Sequence, residues 1–455
     1  MYRTSLAYLK DWKTKAGRKP LVIRGARQVG KSFVVRMFAA ESFENLLEIN
    51  LETDPGAPSL FASMDPATIL PLLEARYAQR VRPGGTLLFL DEIQSAPELL
   101  ADLRYFHEKM PELHVIAAGS LLDFALAEHQ FSMPVGRIEY LHLGPMSFEE
   151  FLLAQDRSAL KDFLGSYSLG KEIPEAIHVE LLRLLRRFMV VGGMPASVAA
   201  LIGPGGQRES EAERQAILST YREDFTKYGK NVNPRRIEKV FAKIPLLVGH
   251  KFKYSSVDRE DRSRELGRAL DMICMARVAH RVRHTAANGV PLGAEADDRS
   301  FKVLFMDVGL LCRSCGLSVL DVEGAEDVML VNSGAVCEQF VGQHLLYAGE
   351  PYAEPALHCW MREKSQSSAE VDYVIAVGGK VVPVEVKAGR TGSLKSLHVF
   401  LREKGQDFGL RFNTDVPSLL DAETSLADGK NRPFRLLSLP LYMAGQALRL
   451  CRESM

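Results

Sequence analysis

The run Gly25-Ala26-Arg27-Gln28-Val29-Gly30-Lys31-Ser32 packs two glycines, a lysine and a hydroxyl into one short segment. Glycine lets the backbone turn its N–H groups onto phosphate oxygens, and a helix starting there adds the positive end of its dipole. Lys31 then reaches the β- and γ-phosphates of a nucleotide, and the Ser32 hydroxyl ligates Mg2+. Every residue from Gly25 to Ser32 is thus a candidate for holding ATP and its magnesium. Downstream, the apolar run Leu87-Leu88-Phe89-Leu90 ends in Asp91-Glu92. Asp91 is placed to hold the magnesium through water, and Glu92 to polarise an attacking water as a base. Another apolar run, Val115 to Gly119, ends in Ser120, whose hydroxyl can touch a γ-phosphate or that water. A phosphate loop joined to paired acids at a strand end predicts ATP hydrolysis.

A second group of chemical residues lies near the C-terminus. Glu370-Val371-Asp372 sits on one expected strand and Glu385-Val386-Lys387 on the next. Residues two apart on a strand face the same way, so Glu385 and Lys387 point to one side, and a hairpin neighbour can bring Asp372 beside them. Glu338 lies one helix earlier. Glu338, Asp372 and Glu385 are candidate ligands for a hard cation such as Mg2+, which would activate water toward a phosphodiester, with Lys387 orienting the nucleophile or steadying the oxyanion. Lys395 reads as a solvated helix lysine, and Trp360 and Tyr373 as core.

The elements that position these residues follow from apolar patterning and turn residues. Up to about residue 145 the chain reads as a βαβ series with a mostly parallel sheet: strands over 20–24, 45–50, 86–90, 114–118 and 139–143, and helices over 33–40, 66–80 and 97–110. From 146 to about 230 it reads as helical, with Gly192-Gly193-Met194-Pro195 breaking an amphipathic run. Two or three helices follow, Asn233-Pro234 opening one of them, and then a polar loop over 288–300. The last part reads helix (332–348), three strands (356–361, 369–377, 380–387), helix (394–404), strand (408–413).

The chain has 455 residues, enough for about three domains. Its 46% hydrophobic and 25% charged residues exclude a disordered, collagen-like or coiled-coil protein. Lys+Arg and Asp+Glu are both 57, which argues against coating nucleic acid or membrane by overall charge. The balance is uneven along the chain. Residues 221–290 hold 16 Lys/Arg and 8 Asp/Glu, a net +8 that the remaining 41 against 49 cancels. That segment, with Arg235, Arg236, Lys239, Lys251, Lys253, Arg262, Arg264, Arg268, Arg281 and Arg283 over an apolar stripe, is the candidate contact for DNA. The six cysteines, including a lone Cys312-x-x-Cys315, read as plain thiols, and the absence of a signal-peptide core or a long apolar run predicts a cytoplasmic protein without a membrane partner.

Up to about residue 200 the sequence resembles AAA-type ATPases of the additional-strand catalytic-glutamate class, in particular bacterial and archaeal ATPases with a C-terminal DUF4143 region. GARQVGKS, LLFLDEIQ, AAGSLLDF, VGRIEYLHLGPMSFEEFL and VGGMP carry the resemblance. It implies a five-stranded sheet with the Ser120 strand between the phosphate-loop strand and the Asp91 strand. In that frame Arg137 is the leading candidate for an arginine finger or γ-phosphate sensor, with Arg186 and Arg187 as lesser candidates for a lid sensor. A winged helix is implied for the basic segment. The order helix–β–β–β–helix–β with Glu338, Asp372, Glu385 and Lys387 resembles the PD-(D/E)xK nuclease superfamily, closest to its restriction endonuclease-like and Holliday-junction-resolvase branch.

The resulting expectation is an α/β multidomain chain: a P-loop AAA-type parallel-sheet ATPase with a helical lid over 1–220, a winged-helix-like basic domain over 221–325, and a restriction endonuclease-like α/β domain over 326–455. Its expected function is ATP binding and hydrolysis in the service of an action on DNA, with metal-dependent cutting at the C-terminal site. The competing reading is an ATP-driven, partner-binding switch whose nuclease-like domain is a non-catalytic interaction module. Homo-oligomerisation is required if Arg137 acts in trans.

Overall fold

The computed structural model describes residues 1–124, 136–228, 232–317, 333–364, 367–389, 393–424 and 431–455. Five strands, β1 (Leu21–Arg24), β2 (Asn45–Asn50), β3 (Thr86–Asp91), β4 (His114–Gly119) and β5 (Glu139–His142), form a wholly parallel sheet in the order β2-β3-β4-β1-β5. β4 therefore separates β1 from β3, as the family resemblance implies. Every residue of β3 and β4 is buried, the condition that unbroken apolar strands require when helices cover both faces. The phosphate loop, Asp91 and Ser120 all follow the C-terminal ends of their strands, so one edge of this sheet collects them. The crossovers are α2 (Lys31–Ser42), α3 (Pro66–Tyr77) and α4 (Leu99–Lys109). An additional helix, α1 (Ser5–Thr14), buries Leu6, Leu9 and Trp12.

Five helices continue the chain: α5 (Phe148–Ala154), α6 (Ser158–Ser166), α7 (Glu175–Val191), α8 (Pro195–Ile202) and α9 (Gly206–Tyr228). Ser147 and Glu150 close a capping box at the start of α5. The Gly192-Gly193 break between α7 and α8 is a place of close approach. A Cβ on Gly193 would lie 2.1 Å from the carbonyl oxygen of Met146, and one on Gly192 2.1 Å from a carboxylate oxygen of Asp307. Only glycine fits there.

Next come α10 (Pro234–Leu247), whose first turn is capped by the Asn233 side chain, the short α11 (Tyr254–Val257), α12 (Ser263–Met275), and an antiparallel hairpin of β6 (Ala279–Thr285) and β7 (Ala296–Phe305). β7 begins inside the stretch expected as loop. Its first residues, including Asp297, Asp298 and Arg299, are exposed on an edge strand, where polar residues are tolerated and mask the strand signal.

The C-terminal half adds α13 (Val308–Ser314), α14 (Ser333–Leu346), β8 (Leu357–Lys364), β9 (Ser367–Val377), β10 (Lys380–Val386), α15 (Lys395–Lys404), β11 (Phe408–Asn413), β12 (Ser418–Glu423), β13 (Pro433–Pro440) and α16 (Ala447–Ser454). Gly378 and Gly379, both at positive φ, make the tight β9–β10 turn. The eight-stranded mixed sheet has the order β12-β13-β11-β10-β9-β8-β6-β7. β6 pairs with β8 in parallel, Val282 opposite Leu357, so the hairpin of the basic segment belongs to the C-terminal sheet. Of the two expected boundaries, 220/221 falls inside α9, and 325/326 lies outside the described residues, as does the expected helix start at Asn332.

The halves share one apolar core running from Leu6 to Cys451. The Phe188 ring of α7 packs edge-on against both Phe148 and Phe340. The chain end closes onto the helical middle: the Tyr442 hydroxyl bonds His178 Nδ1 at 2.9 Å and Arg449 donates to the Tyr167 carbonyl at 2.7 Å. Of the two close cysteines, Cys312 is buried with its thiol on the Met189 carbonyl.

Candidate nucleotide site and acidic cleft

The phosphate loop runs from the end of β1 into α2. Gly25 cannot carry a side chain, because a Cβ there would lie 2.3 Å from the carbonyl oxygen of Leu143. Gln28 and Gly30 take positive φ, which curls the loop over the helix start, and no side chain caps the first turn of α2. Lys31 is turned inward and donates to the carbonyls of Gly25 at 3.1 Å and Ala26 at 2.8 Å. Burial pulls its ammonium down to about 8, against the attraction of Glu92 and Asp91. The Ser32 hydroxyl donates to Asp91 Oδ2 at 2.7 Å, so the two expected magnesium partners already touch. Burial pushes the Asp91 carboxyl up, opposed by the Ser32 bond.

Glu92 follows Asp91 in a left-handed backbone conformation, and its carboxylate accepts from the Gln94 amide at 2.5 Å. Ser120 is 4% exposed and its hydroxyl has no partner among the described residues. A buried hydroxyl of this kind is costly unless something satisfies it, and its place beside Asp91 is where a γ-phosphate would lie. This orphan, the uncapped helix start and the inward lysine fit a nucleotide phosphate with Mg2+. Lys31 would hold the phosphates and Ser32 with Asp91 the magnesium, which would spread the charge of the transferring group.

Arg137 is placed elsewhere. It precedes β5, at the sheet edge opposite the loop, where Glu139 N–H meets the Pro20 carbonyl, and it pairs with Glu108 at 2.7 Å in solvent. The structure does not bring it to this chain's own loop. Arg186 and Arg187 are half-buried on α7.

Sequence reasoning missed the residues that brace the loop. Arg3 is buried and donates to the Val29 carbonyl at 2.7 Å and the Gly144 carbonyl at 2.8 Å, with Glu150 at 3.2 Å on its other side. On α9, Asp224 pairs with Arg27, and the Tyr221 hydroxyl bonds the Arg27 carbonyl at 2.7 Å. Pro195 of the VGGMP segment lies against Gly30, while Gly193 N–H donates to buried Asp307 at 2.7 Å. That segment thus touches the phosphate loop on one side and the C-terminal half on the other. No local pattern marks these partners, because each reaches the loop from a distant part of the chain.

The acidic cleft gathers Glu338, Asp372, Glu385 and Lys387 in one place. Lys387 Nζ lies 2.6 Å from Glu385 Oε1, and Val386 N–H donates to Asp372 Oδ2 at 2.8 Å. Glu385 Oε2 is buried without a partner. The unexpected member is Lys302 of β7, 2% exposed. Its ammonium stands 3.4 Å from Glu338 and 3.5 Å from Asp372, and pairs with Glu370. Burial pulls Lys302 down, but Glu338, Asp372 and Glu370 outweigh it and hold the ammonium well above its usual range. Burial, then Asp372, pushes both the Glu338 and Glu385 carboxyls up. Among the described residues no group of three or more acids, histidines or cysteines is arranged to hold a metal ion. Tyr373 donates to the Glu338 carbonyl at 2.8 Å and Trp360 packs on Phe400, both as core, and Lys395 is exposed.

The basic segment is largely paired within the chain. Arg236 bonds Asp261, Lys239 bonds Asp258, Arg268 bonds Glu265, Arg281 bonds Asp271 and Arg283 bonds Asp298. Arg235, Lys253, Arg262 and Arg264 are exposed with no ion pair among the described residues. Beside them, Asp123 joins Arg24 of β1 at 3.2 Å to Arg277, between α12 and β6, at 3.1 Å.

Residues 17–152 match the model of an AAA domain, residues 182–321 that of a domain of unknown function (DUF8612), and residues 333–422 that of another (DUF4143). The chain thus carries an AAA domain and a DUF4143 region. No curated protein matches it. Among solved structures it is similar to the Walker-type ATPase PABY2304 of Pyrococcus abyssi, with a TM-score of 0.42 and 16% identity over 69% of this chain and 95% of that one. It is also similar to Orc1 of Aeropyrum pernix in complex with DNA, with a TM-score of 0.26 and 11% identity over 68% and 90%. A third is a single-substitution variant of RuvB of Thermotoga maritima, with a TM-score of 0.25 and 15% identity over 61% and 87%. Among the described residues no helix is long and apolar enough to cross a membrane.

Proposed function

We propose that this chain is a cytoplasmic ATP hydrolase that uses nucleotide turnover to act on DNA. One observation carries the nucleotide half: Ser32, Asp91 and the inward Lys31 are drawn together at the sheet edge, Ser32 touching Asp91 at 2.7 Å. Lys31 binds and orients the phosphates, Glu92 accepts a proton from the attacking water, and Ser120 fixes the γ-phosphate end. Phosphate release from ATP by the wild type, absent in Lys31→Ala, tests it; turnover retained by the variant overturns it.

The DNA half is supported by the order of three helices followed by a hairpin, which is that of a winged helix, and by Arg262 and Arg264 at the start of α12, exposed with no ion pair among the described residues. Asp123 ties the region after Ser120 to the start of β6, giving nucleotide state a direct bond to that module. Duplex binding that weakens steeply with salt supports this reading, and no binding at low salt overturns it. Arg137, facing away from its own loop, serves a neighbouring subunit, so specific ATPase activity rises with protein concentration.

For the C-terminal domain, the buried Lys302 standing among Glu338, Glu370 and Asp372 supports a nuclease-like fold that holds DNA over one that cuts it. Cleavage of linear, branched or single-stranded DNA with Mg2+ or Mn2+, abolished in Asp372→Ala, would overturn that choice.

A further inference from the structure

The acidic cleft is built from four carboxylates, Glu338, Glu370, Asp372 and Glu385, drawn from α14, β9 and β10. Asp372 and Glu385 are buried and Glu338 and Glu370 half-buried, so these groups must take up protons or be met by positive charge. Two lysines supply it. Lys387 serves Glu385 at 2.6 Å, and Lys302 serves the other three. Lys302 enters from the β7 hairpin, an element that the sequence groups with the basic segment and that joins this sheet only through β6 and β8.

The spacing around Lys302 is that of an ammonium. Its nitrogen stands 3.4 Å from Glu338 and 3.5 Å from Asp372 and pairs with Glu370, one charged donor facing three carboxylates. Lys302 is 2% exposed, so it is no surface side chain swung in by chance. Glu385 Oε2, buried and without a partner among the described residues, is an acceptor that the two lysines leave unmet. A pocket of about 250 Å³, lined by Lys251, Arg362, Glu370 and Ser396, opens beside the cluster and gives ions from solvent a way in.

We infer that the Lys302 ammonium is the resident cation of this cleft, standing among three of its four carboxylates, and that removing it converts the cleft into a divalent-cation site. Lys302 thereby latches the β6–β7 hairpin to the acidic centre and keeps the cleft from taking up a metal. The inference rests on reading the cleft as one that does not cut DNA. Its test measures ion uptake and melting rather than cleavage, so the two fail separately.

The experiment compares Mn2+ titration, by calorimetry and by electron paramagnetic resonance, of nucleotide-free wild type, Asp372→Asn, Lys302→Ala, Lys302→Gln and Lys302→Ala/Asp372→Asn. The wild type should show no saturable uptake that depends on Asp372. Lys302→Ala should melt at a lower temperature in metal-free buffer, bind one Mn2+ per chain at the cleft, and regain stability as it binds. The double variant should lose both the uptake and the rescue. Lys302→Gln keeps the side-chain volume without the charge and guards against a cavity effect. Its uptake should follow that of Lys302→Ala. Saturable wild-type uptake lost in Asp372→Asn overturns the inference. So does the lack of uptake in both single variants when each melts cooperatively. If neither variant folds, the wild-type titration decides alone: Asp372-dependent uptake overturns the inference, and its absence upholds it.

Discussion

The two polar centres of this molecule are opposites in how they balance charge. At the nucleotide edge, a lysine, a hydroxyl and two acids are held with their needs incompletely met: Lys31 leans on loop carbonyls and the Ser120 hydroxyl has no partner among the described residues. In the acidic cleft, lysines from two strands have already answered the carboxylates. The first leaves a buried hydroxyl unmet; the second meets its acids from within, except that Glu385 Oε2 has no partner among the described residues. Nearly the same residue types are present at both, so residue type alone does not tell a site that awaits a ligand from one that has replaced it. The location of the nearest lysine does.

The largest expected effect falls on the open centre. Lys31→Ala should reduce ATP hydrolysis by about 100-fold or more, read as phosphate release, while leaving the melting of the cleft variants unchanged. Glu92→Gln should keep nucleotide binding and lower turnover by about 100-fold, and a turnover loss explained by a higher KM alone would break the assignment. Next comes a pH effect. Lys31 loses its proton at about 8 in the free protein, and phosphates favour its charged form, so binding takes up a proton above that value. ATP affinity should be flat below about pH 7 and fall by up to about tenfold per unit above about pH 8, measured with a fluorescent nucleotide. Affinity that is flat through about pH 9 would show that Lys31 is not the group meeting the phosphates. Arg262→Ala/Arg264→Ala should weaken duplex binding several-fold and lower the salt slope by about two, whereas Arg236→Ala, whose charge is already paired, should change the slope little. The smallest effect is that of Ser120→Ala, about 3- to 10-fold in kcat, the size of one lost hydrogen bond.

The open centre could be read almost entirely from the chain. Gly25 to Ser32 are consecutive, and their spacing fixes which groups face the phosphate. Asp91 and Ser120 each end a buried strand, and a parallel sheet sends such ends to one edge. The closed centre could be read only in part. Alternation along β10 placed Glu385 beside Lys387, and Gly378-Gly379 set the register that brings Asp372 across. Lys302 could not be read, because it lies on an edge strand whose polar start looks like a loop and whose hairpin meets β8 across a long stretch of chain. Arg3 and Asp224 were hidden for the same reason: each reaches the phosphate loop from an element with no local signal for it.

The sequence by itself determined a parallel sheet and the residues at its strand ends, because short-range spacing and apolar periodicity act within one or two elements; the AAA type and the strand order came from the family resemblance. The tertiary structure alone decided that the basic segment's hairpin extends the C-terminal sheet, that Arg236, Lys239, Arg268, Arg281 and Arg283 are already paired, and that a buried lysine stands among the acids. Those outcomes depend on which distant strands meet, and in a low-dielectric interior that meeting decides which charge answers which.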